Sequence, residues 1–160
     1  MPQLELREVG PDDVGRLTVL LMETYAFYGD PDPIPASEAA ARLRRYLGAQ
    51  PGYEAVLASC EGVDIGYAIY APVFWTSDCQ IALFLKEIFV LERWRSQGVG
   101  RELMRRLARV AHARDWPRIV WTVDRRNRPA LRFYRTISGA REVNKDVYVI
   151  GGEGLKRLAR

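Results

Sequence analysis

The sequence predicts one mixed α/β domain over residues 1–160, with a largely antiparallel sheet and helices on both faces. A chain of 160 residues lies within the usual range of a single domain, and its 48% hydrophobic content is enough for a substantial core. The apolar patterns follow the order β-α-α-β-β-β-α-β-α-β, which favours a mixed sheet covered by helices. We therefore expect six or seven strands and about four helices.

The first quarter of the chain predicts a strand and two helices. Residues 4–9 alternate between apolar and polar, as a half-buried strand does. Pro11 and the two aspartates after it are typical of a helix start, and this helix is expected to reach about Tyr28. Three prolines between 29 and 35 interrupt it. Ser37 is the expected cap of a second helix over about 38–48.

The middle of the chain predicts three strands and a long helix. Strands over about 53–60 and 64–74 flank Glu61-Gly62, a dipeptide that favours a tight hairpin turn. A third strand is expected over 81–91. A helix over 99–113 follows it.

The last part predicts a strand, a helix and the closing strands. Residues 118–123 alternate as a strand does. Asn127 is the expected N-cap of a helix that has Pro129 in its first turn and ends by Gly139. Residues 141–150 are expected to form one or two final strands.

Several classes of protein are excluded by what the sequence lacks. No run of about 18 apolar residues occurs, and the first residues lack the apolar centre of a signal peptide. We therefore expect a cytoplasmic protein with no membrane partner. Cys60 and Cys79 are too few for a disulfide framework. His112 is the only histidine, so we expect neither a histidine-built metal site nor a Ser/His/Asp triad.

The net charge of +4 conceals a division along the chain. Residues 1–91 carry 13 acidic and 6 basic side chains, whereas residues 92–135 carry 13 arginines and 4 acids. Many of these arginines suit a solvated helix surface. The basic segment contains the Arg/Gly turn between the strand over 81–91 and the helix over 99–113, where positive charge suits an anionic ligand.

The segment from Arg95 to Arg101 has the composition of an anion site. It joins an apolar strand to a helix, and Gly98 and Gly100 allow close approach of a ligand and positive φ. The first turn of a helix offers unpaired N–H groups, and the two arginines add charge that suits phosphate oxygens. We therefore expect a phosphorylated ligand here.

Two motifs resemble those of the GNAT superfamily of acetyl-CoA-dependent N-acyltransferases. The first is Arg95-Ser-Gln-Gly98-Val-Gly100, which follows the family pattern Gln/Arg-x-x-Gly-x-Gly/Ala, and the second is Asn127-Arg-Pro-Ala130-Leu-Arg-Phe133-Tyr134. The resemblance covers nearly the whole chain and is best over residues 62–142. The stretches 65–70 and 85–90 look most like the diamine (spermidine/spermine) acetyltransferase branch.

The resemblance implies how acetyl-CoA is held. Backbone amides of the turn and helix start would bind the coenzyme A diphosphate, and a bulge in the preceding strand would free backbone groups for the pantetheine arm. The second motif would add further contacts. The implied residues are Ile88, Phe89, Val90, Arg95, Gln97, Gly98, Val99, Gly100, Arg101, Asn127, Ala130 and Tyr134.

The resemblance also implies the chemistry. Tyr134 stands where many members place the general acid, and a phenol is protonated at neutral pH. Glu87 is the first candidate for the group that takes the proton of the amine, ahead of Glu23, Asp30 and Asp32. An acidic and aromatic wall that suits a cationic amine is expected from Tyr25, Tyr28, Asp30, Trp75 and Glu87.

Several alternatives remain open from sequence. The acceptor is expected to be polyamine-like or amino-acid-like, but a protein N-terminus, a lysine or an antibiotic-like amine would also fit, as would a catalytically silent acyl-CoA-binding domain. The acidic first half disfavours a nucleic-acid-binding module. A dinucleotide-binding domain would need its glycines after the first strand rather than the fourth. The family habit of pairing through C-terminal strands makes a homodimer the expected assembly.

Overall fold

The computed structural model describes residues 3–160, which divide into two compact units. The first unit ends at Thr122 and contains the sheet, and the second runs from Val123 to Arg160. The expectation of one domain over 1–160 stays a prediction.

The first unit is built on a five-stranded sheet whose strands lie side by side in chain order. The first four pair antiparallel, and the fifth pairs parallel to the fourth. The mixed, mostly antiparallel fold predicted from sequence is therefore confirmed. The strands are β1 (Leu4–Glu8), β2 (Glu54–Cys60), β3 (Val63–Trp75), β4 (Gln80–Val90) and β5 (Ile119–Trp121).

Three helices belong to the first unit and two to the second. Short 3₁₀ turns precede the first helix at Pro11–Asp13 and the third at Glu92–Trp94. No helix within residues 3–160 is both long enough and apolar enough to cross a membrane. The helices are α1 (Val14–Tyr28), α2 (Ala36–Tyr46), α3 (Val99–Ala113), α4 (Arg128–Arg135) and α5 (Gly152–Leu158).

The helices of the first unit cover both faces of the sheet. Leu17 of α1 and Leu43 of α2 pack in one cluster with Leu57, Tyr67 and Phe89 of the strands. Strand residues on the alternate face are equally buried, and α3 packs there. Burying one aliphatic side chain of this kind contributes roughly 1.5–3 kcal/mol to the free energy of folding. Because such side chains are buried on both faces, both helix layers hold the sheet in place.

Polar contacts fix α1 on the sheet at its first turns. Arg16 donates to both carboxylate oxygens of Asp64 on β3 at 2.6 Å. Asp13 accepts from Arg7 on β1 and from the backbone N–H of Gly10. With its start held in this way, the helix carries its second half over β3, where Thr24 contacts Tyr67.

Three expectations about local structure need correction. Residues 141–150 form no strand, and all ten are exposed, since a β-prone segment needs a partner strand to form a ladder. The sheet accordingly has five strands rather than six or seven. Ser37 does not cap α2, which begins one residue earlier behind Pro35. The closing helix α5 was not predicted, because its seven residues are too few for a clear periodicity.

A substitution at Gly66 tests how closely β3 and β4 approach. A Cβ there would lie 2.6 Å from the Phe89 carbonyl oxygen. Gly66→Ala should therefore lower the free energy of unfolding by about 1–3 kcal/mol in a urea titration. Gly15→Ala is the control, because its Cβ meets no atom within 4 Å on α1, and it should stabilise by about 0.5–1 kcal/mol. A neutral Gly66→Ala would contradict the close approach.

Candidate active site

An irregularity in β4 shapes the candidate site. Ile69 pairs with Glu87, but the next residue of β3, Tyr70, pairs with Leu85. Lys86 is therefore an extra residue, a β-bulge in the strand before the turn, as the family resemblance implies. Because side chains alternate along a strand, the extra residue turns Glu87 onto the face of Ile69, where α1 and α2 pack.

The pairing of β4 with β5 ends at the same point in β4. β5 pairs with β4 only from Leu83 to Leu85, whereas β4 continues to Val90. Among residues 3–160, the β5-side edge of β4 has no strand partner beyond the bulge. The backbone groups over 86–90 that point away from β3 are thus placed for hydrogen bonds to an extended ligand, apart from the Val90 carbonyl oxygen, which accepts from Arg95.

The turn after β4 presents the start of α3 without a side-chain cap. Gly98 is the N-cap residue at φ 87°, a left-handed conformation that suits glycine. The first helical hydrogen bond runs from the Glu102 N–H to the Gly98 carbonyl oxygen. Helix geometry leaves the amides of Val99 and Gly100 in the first turn, at the positive end of the helix dipole. This arrangement is suited to binding an anion.

Two side chains of the turn fold back onto its backbone. The Gln97 side-chain amide donates to the Arg93 carbonyl oxygen at 2.9 Å. Arg95 donates its Nε to the Val90 carbonyl oxygen at 2.9 Å, which ties the turn to the end of β4. Arg101 is exposed on the first turn of α3.

Glu87 is half-buried on the α1 side of the sheet. Burial raises the pKa of its carboxyl group, and the charge of Lys86 and the Ile88 backbone N–H only partly oppose that effect. No ion pair neutralises Glu87 among residues 3–160. A carboxylate with a raised pKa and no ion pair is a better proton acceptor than an ordinary glutamate.

A buried hydroxyl pair beside Glu87 was missed by the sequence reasoning. The hydroxyl groups of Tyr67 and Thr24 lie 2.8 Å apart, and Thr24 donates to the Leu20 carbonyl oxygen at 3.0 Å. Thr24 has one proton, so Tyr67 donates to Thr24 and not to Glu87. The sequence did offer a signal: Thr24 lies on the apolar stripe of α1, and Tyr67 lies at an inward position of a strand.

Two tyrosines of the last turn of α1 lie near this pair. Burial raises the pKa of the Tyr67 hydroxyl above its usual range, the bond to Thr24 opposes this, and Glu87, Tyr25 and Tyr28 add to the increase. These groups therefore lie close enough to interact electrostatically. Tyr25 is half-buried and Tyr28 is exposed. The structure thus brings together three of the predicted acceptor residues: Tyr25, Tyr28 and Glu87.

The other two predicted acceptor residues are Asp30, just after α1, and Trp75, at the end of β3. Asp30 is exposed after the end of α1 and accepts from the Asp32 backbone N–H at 3.1 Å. Trp75 lies six residues beyond Ile69 along β3, about 20 Å at the rise of a strand, where Arg118 stacks on its ring. The structure does not bring Trp75 together with Glu87.

The second unit contains the other sequence motif. The Asn127 side-chain oxygen accepts from the Ala130 backbone N–H at 3.1 Å, so its predicted role as the N-cap of α4 is confirmed. Tyr134 is half-buried on α4, and its ring contacts Phe133 with centroids 5.2 Å apart. Contacts of Asn127, Ala130 and Tyr134 with a ligand stay predictions.

Removing the Glu87 charge should stabilise the fold in a pH-dependent way. Because burial raises the folded-state pKa, stability that is present at acid pH is lost as the carboxyl group ionises. Glu87→Gln should exceed the parent protein in urea-unfolding free energy at neutral pH. The difference should vanish below the usual glutamate pKa of about 4.3. A difference that is independent of pH would contradict the raised pKa.

Comparison with known proteins agrees with this geometry. The model of the acetyltransferase (GNAT) family matches residues 18–139. The thialysine N-epsilon-acetyltransferase of Sus scrofa is 24% identical, with 99% of each chain covered. Two solved structures share the fold. An integron cassette protein of V. cholerae has a TM-score of 0.86 and 24% identity, with 98% of each chain covered. The aminoglycoside N-acetyltransferase AAC(6')-Iy in complex with CoA has a TM-score of 0.79 and 18% identity, with 94% of this chain and 96% of that chain covered.

The family match spans well over half of the chain, including the Gly98 turn and α4. Such enzymes use acetyl-CoA as the acyl donor, which agrees with an uncapped helix start behind an unpaired strand edge. The protein is an acyltransferase and belongs to the acetyltransferase (GNAT) family.

Proposed function

We propose that the protein moves an acetyl group from acetyl-CoA to the primary amine of a small cationic acceptor, by direct transfer in a ternary complex. The observation that carries the proposal is the end of the β4–β5 pairing at the Lys86 bulge, which leaves the donor edge of β4 beside Glu87. One strand thus supplies backbone for the donor and a carboxylate for the acceptor.

The donor half of the proposal rests on the turn and the β4 edge. Bound acetyl-CoA would supply the activated acetyl thioester. The amides at Gly98, Val99 and Gly100 suit its diphosphate, since the helix start offers N–H donors and no side chain caps them. The backbone of Ile88, Phe89 and Val90 lies on the edge that suits an extended pantetheine arm.

The acceptor half rests on Glu87 and the aromatic turn of α1. A cationic amine is attracted by the carboxylate and by the rings of Tyr25 and Tyr28. Glu87 takes the proton that makes the amine neutral, and the amine nitrogen then bonds to the acetyl carbon as the carbon–sulfur bond breaks. Tyr134 gives the sulfur a proton, a role that rests on its place in the sequence motif, and the second proton that the nitrogen loses on forming the amide restores the phenol.

Relatives support an amine acceptor without selecting one. One relative is named for thialysine and a structural neighbour for aminoglycosides, and both names denote compounds that carry amines. The acidic residues of the first 91 positions favour a cation over an anionic acceptor. A homodimer, a cytoplasmic location and the absence of a nucleic acid partner stay predictions.

The proposed function is tested by the release of coenzyme A thiol from acetyl-CoA with a panel of acceptors. Polyamines and thialysine-like amino acids should give the fastest acceptor-dependent release, because each offers an amine on a short cationic chain. Aminoglycosides and peptides with free N-termini complete the panel. Tight acetyl-CoA binding without release for any amine would favour a silent binding domain.

Tyr134→Phe should separate catalysis from binding. Loss of the phenol proton should lower kcat about a hundredfold, the size typical of one general acid. The Kd for acetyl-CoA, measured by titration calorimetry, should stay nearly unchanged. Tyr148→Phe is the matched control, because Tyr148 is almost fully exposed in the same unit. An unchanged kcat for Tyr134→Phe would remove this residue from the mechanism.

Glu87→Gln should remove the acid limb of the pH profile of kcat/KM. In the parent protein the rate falls as pH drops through the raised pKa of Glu87, because a protonated base accepts nothing. The glutamine variant should be slow at neutral pH, and its acid limb should disappear. Glu5→Gln serves as the control, because Glu5 is exposed on β1. Retention of the limb in Glu87→Gln would assign it to another group.

A further inference from the structure

Arg95 contacts the helix of the acceptor half as well as the donor turn. Its Nε is held by the Val90 carbonyl oxygen, and its guanidinium carbon lies 4.2 Å above the centre of the Phe27 ring. The same carbon lies 5.5 Å from the centre of the Phe89 ring. Arg95 thus joins the turn, the end of β4 and the last turn of α1.

The two rings form a fixed platform under the guanidinium. Phe27 and Phe89 meet edge to face with centroids 5.9 Å apart. Phe89 is buried in the core beside Tyr67, so the platform is anchored to the sheet. A guanidinium held over two rings and tied at Nε has little freedom, and its position in turn restrains the backbone of the turn.

Phe27 is 47% exposed, so ordinary core packing does not account for the orientation of its ring. It stands next to Tyr28 and one turn after Thr24, in the acceptor wall. The Phe27 side chain therefore lies at the proposed acceptor site and contacts Arg95 of the proposed donor site.

We propose that Phe27 and Arg95 form a clasp through which the acceptor helix positions the acyl-donor turn. Phe27 is a positioning residue in this account, since it acts on the donor through Arg95. The clasp rests on the proposed function. It also couples the binding of the two substrates, because an acceptor that restrains the last turn of α1 also restrains the donor turn through Arg95. The coupling is reciprocal, so a bound donor should favour acceptor binding to the same extent.

A double-mutant cycle on the Kd for acetyl-CoA tests the clasp. Phe27→Ala should weaken acetyl-CoA binding about threefold to tenfold, the range of one cation–π contact. In an Arg95→Ala background the Phe27 change should add nothing, because the partner is already absent. Phe27→Tyr keeps the ring and should bind as the parent protein does. Phe27→Leu keeps apolar packing without the ring and should match Phe27→Ala.

The control is a second arginine–aromatic contact on α2. Arg45 lies 5.3 Å from the centre of the Tyr46 ring, which is 43% exposed, and Tyr46→Ala should leave the Kd for acetyl-CoA unchanged. Equal Kd values for Phe27→Leu and the parent, or additive effects of the Phe27 and Arg95 changes, would overturn the clasp alone. A parent protein that binds no acetyl-CoA would overturn the proposed function and the clasp with it.

Discussion

One extra residue in β4 sets the geometry on which the candidate site depends. Without the bulge at Lys86, Glu87 would share a face with Leu85 and point towards α3, because side chains alternate along a strand. With it, Glu87 faces the aromatic end of α1, and the parallel pairing with β5 ends at the same place. A single backbone irregularity thus orients the carboxylate at the point where the strand edge becomes free.

The surrounding structure holds this irregularity from both sides. Gly66 lets β3 approach the carbonyl oxygen of Phe89 closely, and Arg95 ties the turn to the carbonyl oxygen of Val90. The Tyr67 hydroxyl is committed to Thr24, so it leaves the Glu87 carboxylate without a hydroxyl donor from that side. Rigid neighbours of this kind are what a preorganised reactive group requires.

The elements with strong local signals were predictable from the sequence. The α3 bounds agree with the prediction, Glu61-Gly62 forms a turn with two positive φ angles, and Asn127 caps α4. The prediction of final strands over 141–150 was wrong, because strand formation depends on a partner strand rather than on composition alone. The bulge was predicted only from the family resemblance. The Tyr67–Thr24 pair and the Phe27–Arg95 contact depend on tertiary packing, which leaves no periodic pattern in the sequence.

Amide hydrogen exchange with and without acetyl-CoA tests the central claim most directly. If the β4 edge and the α3 start hold the donor, acetyl-CoA should slow exchange at the amides of 86–90 and 97–101, while amides of β1 and β2 change little. Binding of acetyl-CoA with no added protection in either segment would contradict the account, since the donor would then lie elsewhere on the protein.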